Sequence, residues 1–346
     1  MKRYEHGGDI YTNAGIDLDF SANVNPLGMP DEVRSAIINR ADEYARYPDP
    51  YCGELRCAIS DFENIDPEWI LCGNGAADLI YRLCYAVKPR KALICAPTFS
   101  EYELALRQTG CEVLRHALTQ ENKFVLTPDI AKALAPGVDM LFLCNPNNPT
   151  GRLIKSSVIN EILAAARKSG TIVVIDECFL DFTRGISSKN LLADIPELVV
   201  LKAFTKMYAM AGLRLGYMLS ANAELLNKTD AASQCWSVSS PAQAAGIAAL
   251  SCKGWAEKTR QLVAKEREFM INSLSFPGME VFPSEANFLL FRCKHPLYEP
   301  LLKKGILIRK CGNFAGLNNS YYRAAIKTHP ENIRLIQAAE EILNTV

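Results

Sequence analysis

Met140-Leu-Phe-Leu-Cys-Asn-Pro-Asn-Asn-Pro-Thr-Gly151 carries an unbroken apolar run into a loop set by two prolines and a glycine. After a helical stretch from Ser156 to Lys168 the chain returns to Thr171-Ile-Val-Val-Ile-Asp-Glu177. Apolar runs without alternation suit strands covered on both faces, and two of them flanking a helix read as one unit of a parallel sheet. The pattern extends in both directions. Trp69-Ile-Leu-Cys72, Ala92-Leu-Ile-Cys95 and Leu198-Val-Val-Leu201 read as further buried strands, with helices at Ala76 to Val87 and Tyr102 to Thr109. The fold class predicted is α/β, a large domain with a mainly parallel sheet. Ligands of such sheets bind beyond the carboxyl ends of the strands, so residues just after each strand carry the most weight.

The remainder reads differently. A long helix from Trp255 to Leu274, then Asn287-Phe-Leu-Leu-Phe291, Ile306-Leu-Ile308 and a final helix from Pro330 predict a smaller α+β domain. The early segment carries the turn signals Gly7-Gly8 and Asn25-Pro-Leu-Gly28. The expected division is an arm over 1–41 packing with the small domain, a large domain over 42–254 and the small domain over 255–346.

Across 346 residues, 38 basic side chains balance 38 acidic ones, which gives no electrostatic reason to expect nucleic acid or an anionic membrane as a partner. Hydrophobic residues at 49% and charged residues at 22% exclude a disordered chain. No apolar run approaches the ~18–20 residues of a membrane span, and the first nine residues lack the apolar core of a secretory signal. A soluble, cytoplasmic protein is expected. The 12 cysteines are scattered, with no Cys-x-x-Cys pair and no zinc-ligand spacing, so free thiols in a reducing compartment are expected and no metal.

Four stretches carry chemistry. Gly73-Asn-Gly-Ala-Ala-Asp78 follows a strand and opens a helix, where bare amides can cradle a phosphate; alone, it serves a plain strand-to-helix turn equally well. The loop Asn145 to Gly151 is too heavily specified for a mere turn and presents Asn148 with little entropy left to lose. Asp176 ends a strand, where a carboxylate either caps the next segment or partners a protonated heterocycle nitrogen. Lys206 follows an apolar strand between Phe204 and Met207, where burial would lower its pKa toward a nucleophilic amine, and Arg214 stands eight residues on.

In this order and spacing, the motifs resemble the fold-type I pyridoxal-phosphate enzymes of the aminotransferase class I and II superfamily. The resemblance covers nearly the whole chain. It assigns Lys206 to the Schiff base with pyridoxal 5'-phosphate, Asp176 to the pyridinium nitrogen and Asn148 to the phenolic oxygen. The amides of Gly75, Ala76 and Ala77, the Thr205 hydroxyl and Arg214 would hold the phosphate, and the Phe99 ring would stack on the cofactor. Tyr47 matches a tyrosine that reaches the phosphate of a neighbouring subunit, which implies a homodimer with shared active sites. Arg323, in Tyr321-Tyr-Arg323, matches the arginine that clamps the substrate carboxylate.

Within the superfamily the chain is most similar to the threonine-phosphate decarboxylases of cobalamin biosynthesis, themselves close to the histidinol-phosphate aminotransferases. His6-Gly-Gly-Asp9, Val24 within Phe20 to Gly28, Phe179 after Asp176-Glu-Cys, Trp236-Ser-Val238 and the stretch Ile306 to Leu317 lean toward the decarboxylases. By this resemblance His6 and Arg309 bind a substrate phosphate, and Asn23 joins Arg323 around the substrate. The implied activity is decarboxylation of a phosphoamino acid such as L-threonine O-3-phosphate, the alternative being an aminotransferase. Two departures stand out: Ala203 where relatives supply a phosphate-binding hydroxyl, and Lys327 where they often have arginine. His116, His295 and His329 match nothing and are expected at the surface.

Overall fold

The computed structural model describes residues 6–13, 15–134 and 137–344. In chain order it forms β1 (Leu18–Asp19), α1 (Asp31–Asn39), α2 (Gly53–Glu63), β2 (Ile70–Gly73), α3 (Ala76–Val87), β3 (Lys91–Ala96), α4 (Ser100–Gln108), β4 (Glu112–Ala117), β5 (Met140–Cys144), α5 (Ser156–Ser169), β6 (Ile172–Asp176), β7 (Leu198–Ala203), α6 (Phe204–Met207) and β8 (Gly216–Leu219). There follow α7 (Ala223–Ala231), α8 (Ser240–Ser251), α9 (Trp255–Ser273), β9 (Met279–Val281), β10 (Phe288–Cys293), α10 (Tyr298–Lys303), β11 (Ile306–Leu307), β12 (Arg309–Lys310), β13 (Tyr321–Ala325) and α11 (His329–Asn344).

Seven strands make the main sheet in the order β2-β8-β7-β6-β5-β3-β4. All neighbours are parallel except β8, which runs antiparallel between β2 and β7. Every residue of β5 is buried, as the unbroken apolar run requires. Two strands escape the sequence pattern. β8 is only four residues long and follows a glycine-rich turn, while β4 is an edge strand whose charged and half-exposed residues mask its pairing.

The second sheet is antiparallel, in the order β12-β13-β10-β9. The stretch Ile306 to Ile308, expected as one strand, is divided. Ile306 and Leu307 pair in parallel with Leu18 and Asp19, and from Arg309 the chain pairs with β13 instead. The early segment is therefore bound to the second sheet's neighbourhood through β1 and β11.

Two polar clusters fix the turn that follows β7. In one, the buried carboxylate of Glu63 accepts from Lys202 Nζ at 2.9 Å, Lys189 Nζ at 2.6 Å and Tyr217 OH at 2.5 Å, tying α2 to β7 and β8. In the other, the Asn25 amide donates to the Lys206 carbonyl, while Asn25 Nδ2 donates to the Met207 carbonyl at 2.7 Å and to Thr259 Oγ1 at 2.8 Å. These bonds join the early loop, the one-turn helix α6 and α9. The 12 cysteines are free thiols; most are buried, but Cys57 and Cys235 are exposed. No described helix is long and apolar enough to cross a membrane.

Candidate active site

A cavity of about 340 Å³ opens at the carboxyl ends of β5, β6 and β7, between the main sheet and the second one. Every residue given a cofactor or substrate role above lines it except Gly75 and Tyr47. Its floor is the turn after β7. Lys206 is partly buried there, and burial pushes its amine down to about 8, with Arg323 and Arg214 adding to the shift and Cys178 and Asp176 opposing it.

Asp176, at the end of β6, is buried, and both carboxylate oxygens are already oriented. Tyr102 OH donates to Oδ2 at 2.7 Å and the Cys178 amide donates to Oδ1 at 2.9 Å. Burial and the neighbouring Asp176 charge raise the Tyr102 pKa well above the usual phenol range, so the hydroxyl stays a donor. The Cys178 thiol is likewise held protonated, by burial first and Asp176 second.

The loop after β5 divides its asparagines between structure and cavity. Asn145 Oδ1 accepts from the Ile154 amide, and Asn147 is spent on Pro97 O, Thr98 and Thr150. Asn148 is left facing the cavity, its Oδ1 accepting from Arg323 Nη1.

Across the cavity floor, α3 presents its N-terminus. Gly75 caps the helix at φ +84°, and a Cβ there would come within 2.8 Å of Arg214 Nη2. Glycine is thus required for the Arg214 guanidinium to lie over the helix start, where it and the bare amides form an anion cradle. Gly216 is needed for the same reason, since a Cβ would meet the Ala76 nitrogen at 2.6 Å. Thr205 lines the same cavity, as does Ala203, which offers no hydroxyl.

The opposite wall carries two arginines. β12 pairs with β13 so that Arg309 and Arg323 are direct cross-strand partners, and both buried side chains reach the cavity. Like charges facing each other across a ladder destabilise a sheet unless an anion sits between them. Burial, with Arg309 adding, lowers the Arg323 pKa to about 10. Arg323 Nη2 donates to the Ser21 carbonyl at 2.7 Å, and Arg309 Nη2 donates to Asn313 Oδ1 at 2.9 Å. Arg323 Nε and Asn23 Oδ1 are buried without a hydrogen-bond partner among the described residues.

A family model described as aminotransferase class I and II matches residues 16–338. The chain belongs to that family. It is 38% identical to a threonine-phosphate decarboxylase of Salmonella typhimurium over 99% of this chain and 97% of that one. A histidinol-phosphate aminotransferase of Desulfitobacterium hafniense is 39% identical, over 93% of this chain and 91% of the relative. Solved structures agree. The histidinol-phosphate aminotransferase of Clostridium acetobutylicum superposes with a TM-score of 0.89 at 30% identity, covering 95% of this chain and all of the other. The L-threonine-O-3-phosphate decarboxylase of Porphyromonas gingivalis gives 0.87 at 28% identity, covering 94% and 99%.

For this family member, the structure adds residues that the sequence reading passed over. Tyr102, Cys178, Ser21 and Phe314 all serve the cavity or its polar wall, and at the cavity mouth Glu101 pairs with His6. Tyr102 reads locally as an apolar-face residue of a helix, and only the fold brings it to Asp176. Phe99 lines the cavity edge-on to Tyr102 with ring centroids 5.5 Å apart. Tyr47 stands away from its own chain's cavity, exposed and stacked on Trp236 at 4.4 Å. Lys327 lies over the Phe20 ring and outside the cavity wall. Of the histidines expected at the surface, His329 is half-exposed and bonded to buried Glu266, whereas His116 is mostly covered and lies 3.8 Å from Asp129.

Proposed function

We propose that the chain is a pyridoxal-phosphate enzyme that removes the carboxylate of a phosphoamino acid of the L-threonine O-3-phosphate type, yielding aminopropanol phosphate, as in cobalamin biosynthesis. The observation that carries the reading is the cross-strand pair Arg309–Arg323 aimed into one cavity. Two guanidiniums beyond the Arg214 cradle suit a substrate with two anionic groups, a phosphate and a carboxylate.

The residues present fit the cofactor. Gly75 leaves room for Arg214 over the start of α3, and orphaned polar atoms of Asn23 and Arg323 are buried in residues of the cavity wall. Ala76, Ala77, Thr205 and Arg214 would hold the phosphate, Lys206 the aldehyde carbon, Asp176 the ring nitrogen and Asn148 the phenolic oxygen, with Phe99 against the ring. Without a hydroxyl at Ala203, the phosphate would lose one contact worth ~0.5–1.5 kcal/mol. Bound there, pyridoxal phosphate supplies an electron sink conjugated to the substrate's α-carbon.

The chain's own groups would then do the selecting. Asp176, fixed by Tyr102 and the Cys178 amide, keeps a proton at the heterocycle nitrogen. Arg323 holds the carboxylate, and Arg309 and His6 take the distal phosphate. Lys206 has the amine that can return a proton to the α-carbon once carbon dioxide has left. At Phe179 no hydroxyl reaches toward the phenolic oxygen. On this reading Tyr47 serves the phosphate of a second copy, and the enzyme is a homodimer.

Aminotransfer is the second reading, and histidinol-phosphate aminotransferases of 39%, 37% and 32% identity among the relatives favour it. Arg309→Ala separates the two. A charge-assisted contact to a dianion is worth ~1.5–3 kcal/mol, so the KM for threonine phosphate should rise at least about tenfold with the cofactor's absorption unchanged. Efficient turnover of histidinol phosphate with 2-oxoglutarate, and none of threonine phosphate, would sink the decarboxylase reading.

A pH prediction follows from Lys206. Its amine, lowered to about 8, is about 10% neutral at pH 7, roughly 300 times the fraction of an ordinary lysine. Because burial depresses the pKa, the reactive form is lost as pH falls below about 8 and saturates above it. The rate at which the cofactor-free protein takes up pyridoxal phosphate should therefore climb between pH 6 and 8 and level off, as followed by visible absorption. A rise continuing beyond pH 10 would contradict this.

A further inference from the structure

His6 stands at the cavity mouth, tilted over Phe99 with ring centroids 6.3 Å apart. It is held there by a carboxylate from the main body: His6 Nε2 and Glu101 Oε1 are 2.8 Å apart. Glu101, on α4, is itself fixed, because Tyr81 OH from α3 donates to its other oxygen at 2.8 Å. The His6 hydrogen bond lowers the Glu101 pKa first, with Tyr81 adding and burial opposing, so the carboxylate stays charged.

The chain beyond His6 lies directly on the substrate wall. A Cβ at Gly7 would fall 2.1 Å from the Ser21 carbonyl oxygen and 3.3 Å from Arg323 Nη2, so only glycine lets the arm seat there. The Gly8 amide donates to Ser21 Oγ at 2.7 Å. That same Ser21 accepts from Arg323 through its carbonyl. The arm, Ser21 and Arg323 thus form one surface, whose outer end is fastened by Glu101.

We propose that Glu101 is a positioning residue for substrate specificity: it holds His6, and with it the arm segment 6–8, against the phosphate end of the substrate. The proposal rests on the phosphoamino-acid reading above. Glu101 is not among the residues lining the cavity and acts through His6. A free carboxylate this near the mouth would repel a dianion; spent on His6 and Tyr81, it orients a phosphate donor instead.

The test compares Glu101→Ala, Glu101→Gln, His6→Ala and the double alanine variant as cofactor-loaded enzymes on threonine phosphate. Loss of the latch should raise KM at least about tenfold, the scale of one charge-assisted hydrogen bond, with kcat within about twofold. Glu101→Gln, which keeps shape without charge, should fall between wild type and Glu101→Ala. The double variant should be no worse than His6→Ala, because Glu101 acts only through that ring. Hydrogen exchange at the Gly8 amide should quicken in Glu101→Ala. An unchanged KM in Glu101→Ala beside a raised KM in His6→Ala overturns the positioning role, as do additive effects in the double variant. If His6→Ala also leaves KM unchanged in an enzyme that does decarboxylate threonine phosphate, the proposal falls while the reaction stands. If the wild type ignores threonine phosphate, the reading beneath it falls as well.

Discussion

A Lys206→Ala protein should fold, bind pyridoxal phosphate only reversibly, and lose turnover by about a thousandfold or more, the scale seen when a group that acts covalently is removed. Its folding should be nearly unaffected, because the fastening of this turn does not use the lysine amine: Asn25 grips the carbonyls of Lys206 and Met207, and Glu63 grips Lys202. The measurement is visible absorption after exhaustive dialysis, beside a thermal melt. Wild type should keep its colour and the variant should lose it at a similar melting temperature. A variant that stays coloured and active would show that another amine attaches the cofactor.

Asp176→Ala should be the second large loss, with kcat down at least about a hundredfold, comparable to removing one preorganised electrostatic partner of a transition state. The side chain offers a negative charge whose direction is set by Tyr102 and by the Cys178 amide. Removing it leaves the Tyr102 hydroxyl buried without its acceptor, so some stability should go too, ~1–3 kcal/mol. Tyr102→Phe provides the control: it should retain the carboxylate and most of kcat. If Asp176→Ala retained wild-type kcat, the carboxylate would have no part in the chemistry.

What the chain reveals by reading alone follows how local each feature is. Lys206 and Arg214 lie on either side of a single turn, and Asn148 sits in a loop whose prolines announce it, so spacing alone marks them. Five of the seven strands of the main sheet are apolar runs that need no partner to be recognised. The missed features depend on pairing. β8 enters the sheet antiparallel, and nothing in four apolar residues declares that direction. Arg309 and Arg323 are 14 residues apart, and only the register of β12 against β13 sets them face to face. Tyr102 meets Asp176, and Glu101 meets His6, across separations that local periodicity does not encode. Tyr47 and Trp236 stack in the same way, and their exposed rings are placed by tertiary contact rather than by a motif.

On the proposed reading, the paired arginines place the cavity's cost where its selectivity would lie. Two buried guanidiniums in register work against the second sheet, and among the described residues Arg323 meets only a carbonyl and an amide oxygen as hydrogen-bond acceptors. A substrate that brings both a phosphate and a carboxylate would relieve that repulsion in a single binding event.

The most direct measurement uses L-threonine O-3-phosphate labelled at its carboxyl carbon, incubated with the cofactor-loaded enzyme without any keto acid. Decarboxylation predicts that the label leaves as carbon dioxide, one per substrate consumed, while the amino group remains on aminopropanol phosphate through many turnovers. Label retained in the organic product, with the amino group moved onto the cofactor and turnover stopping after one equivalent until 2-oxoglutarate is added, would contradict the decarboxylase account and establish an aminotransferase.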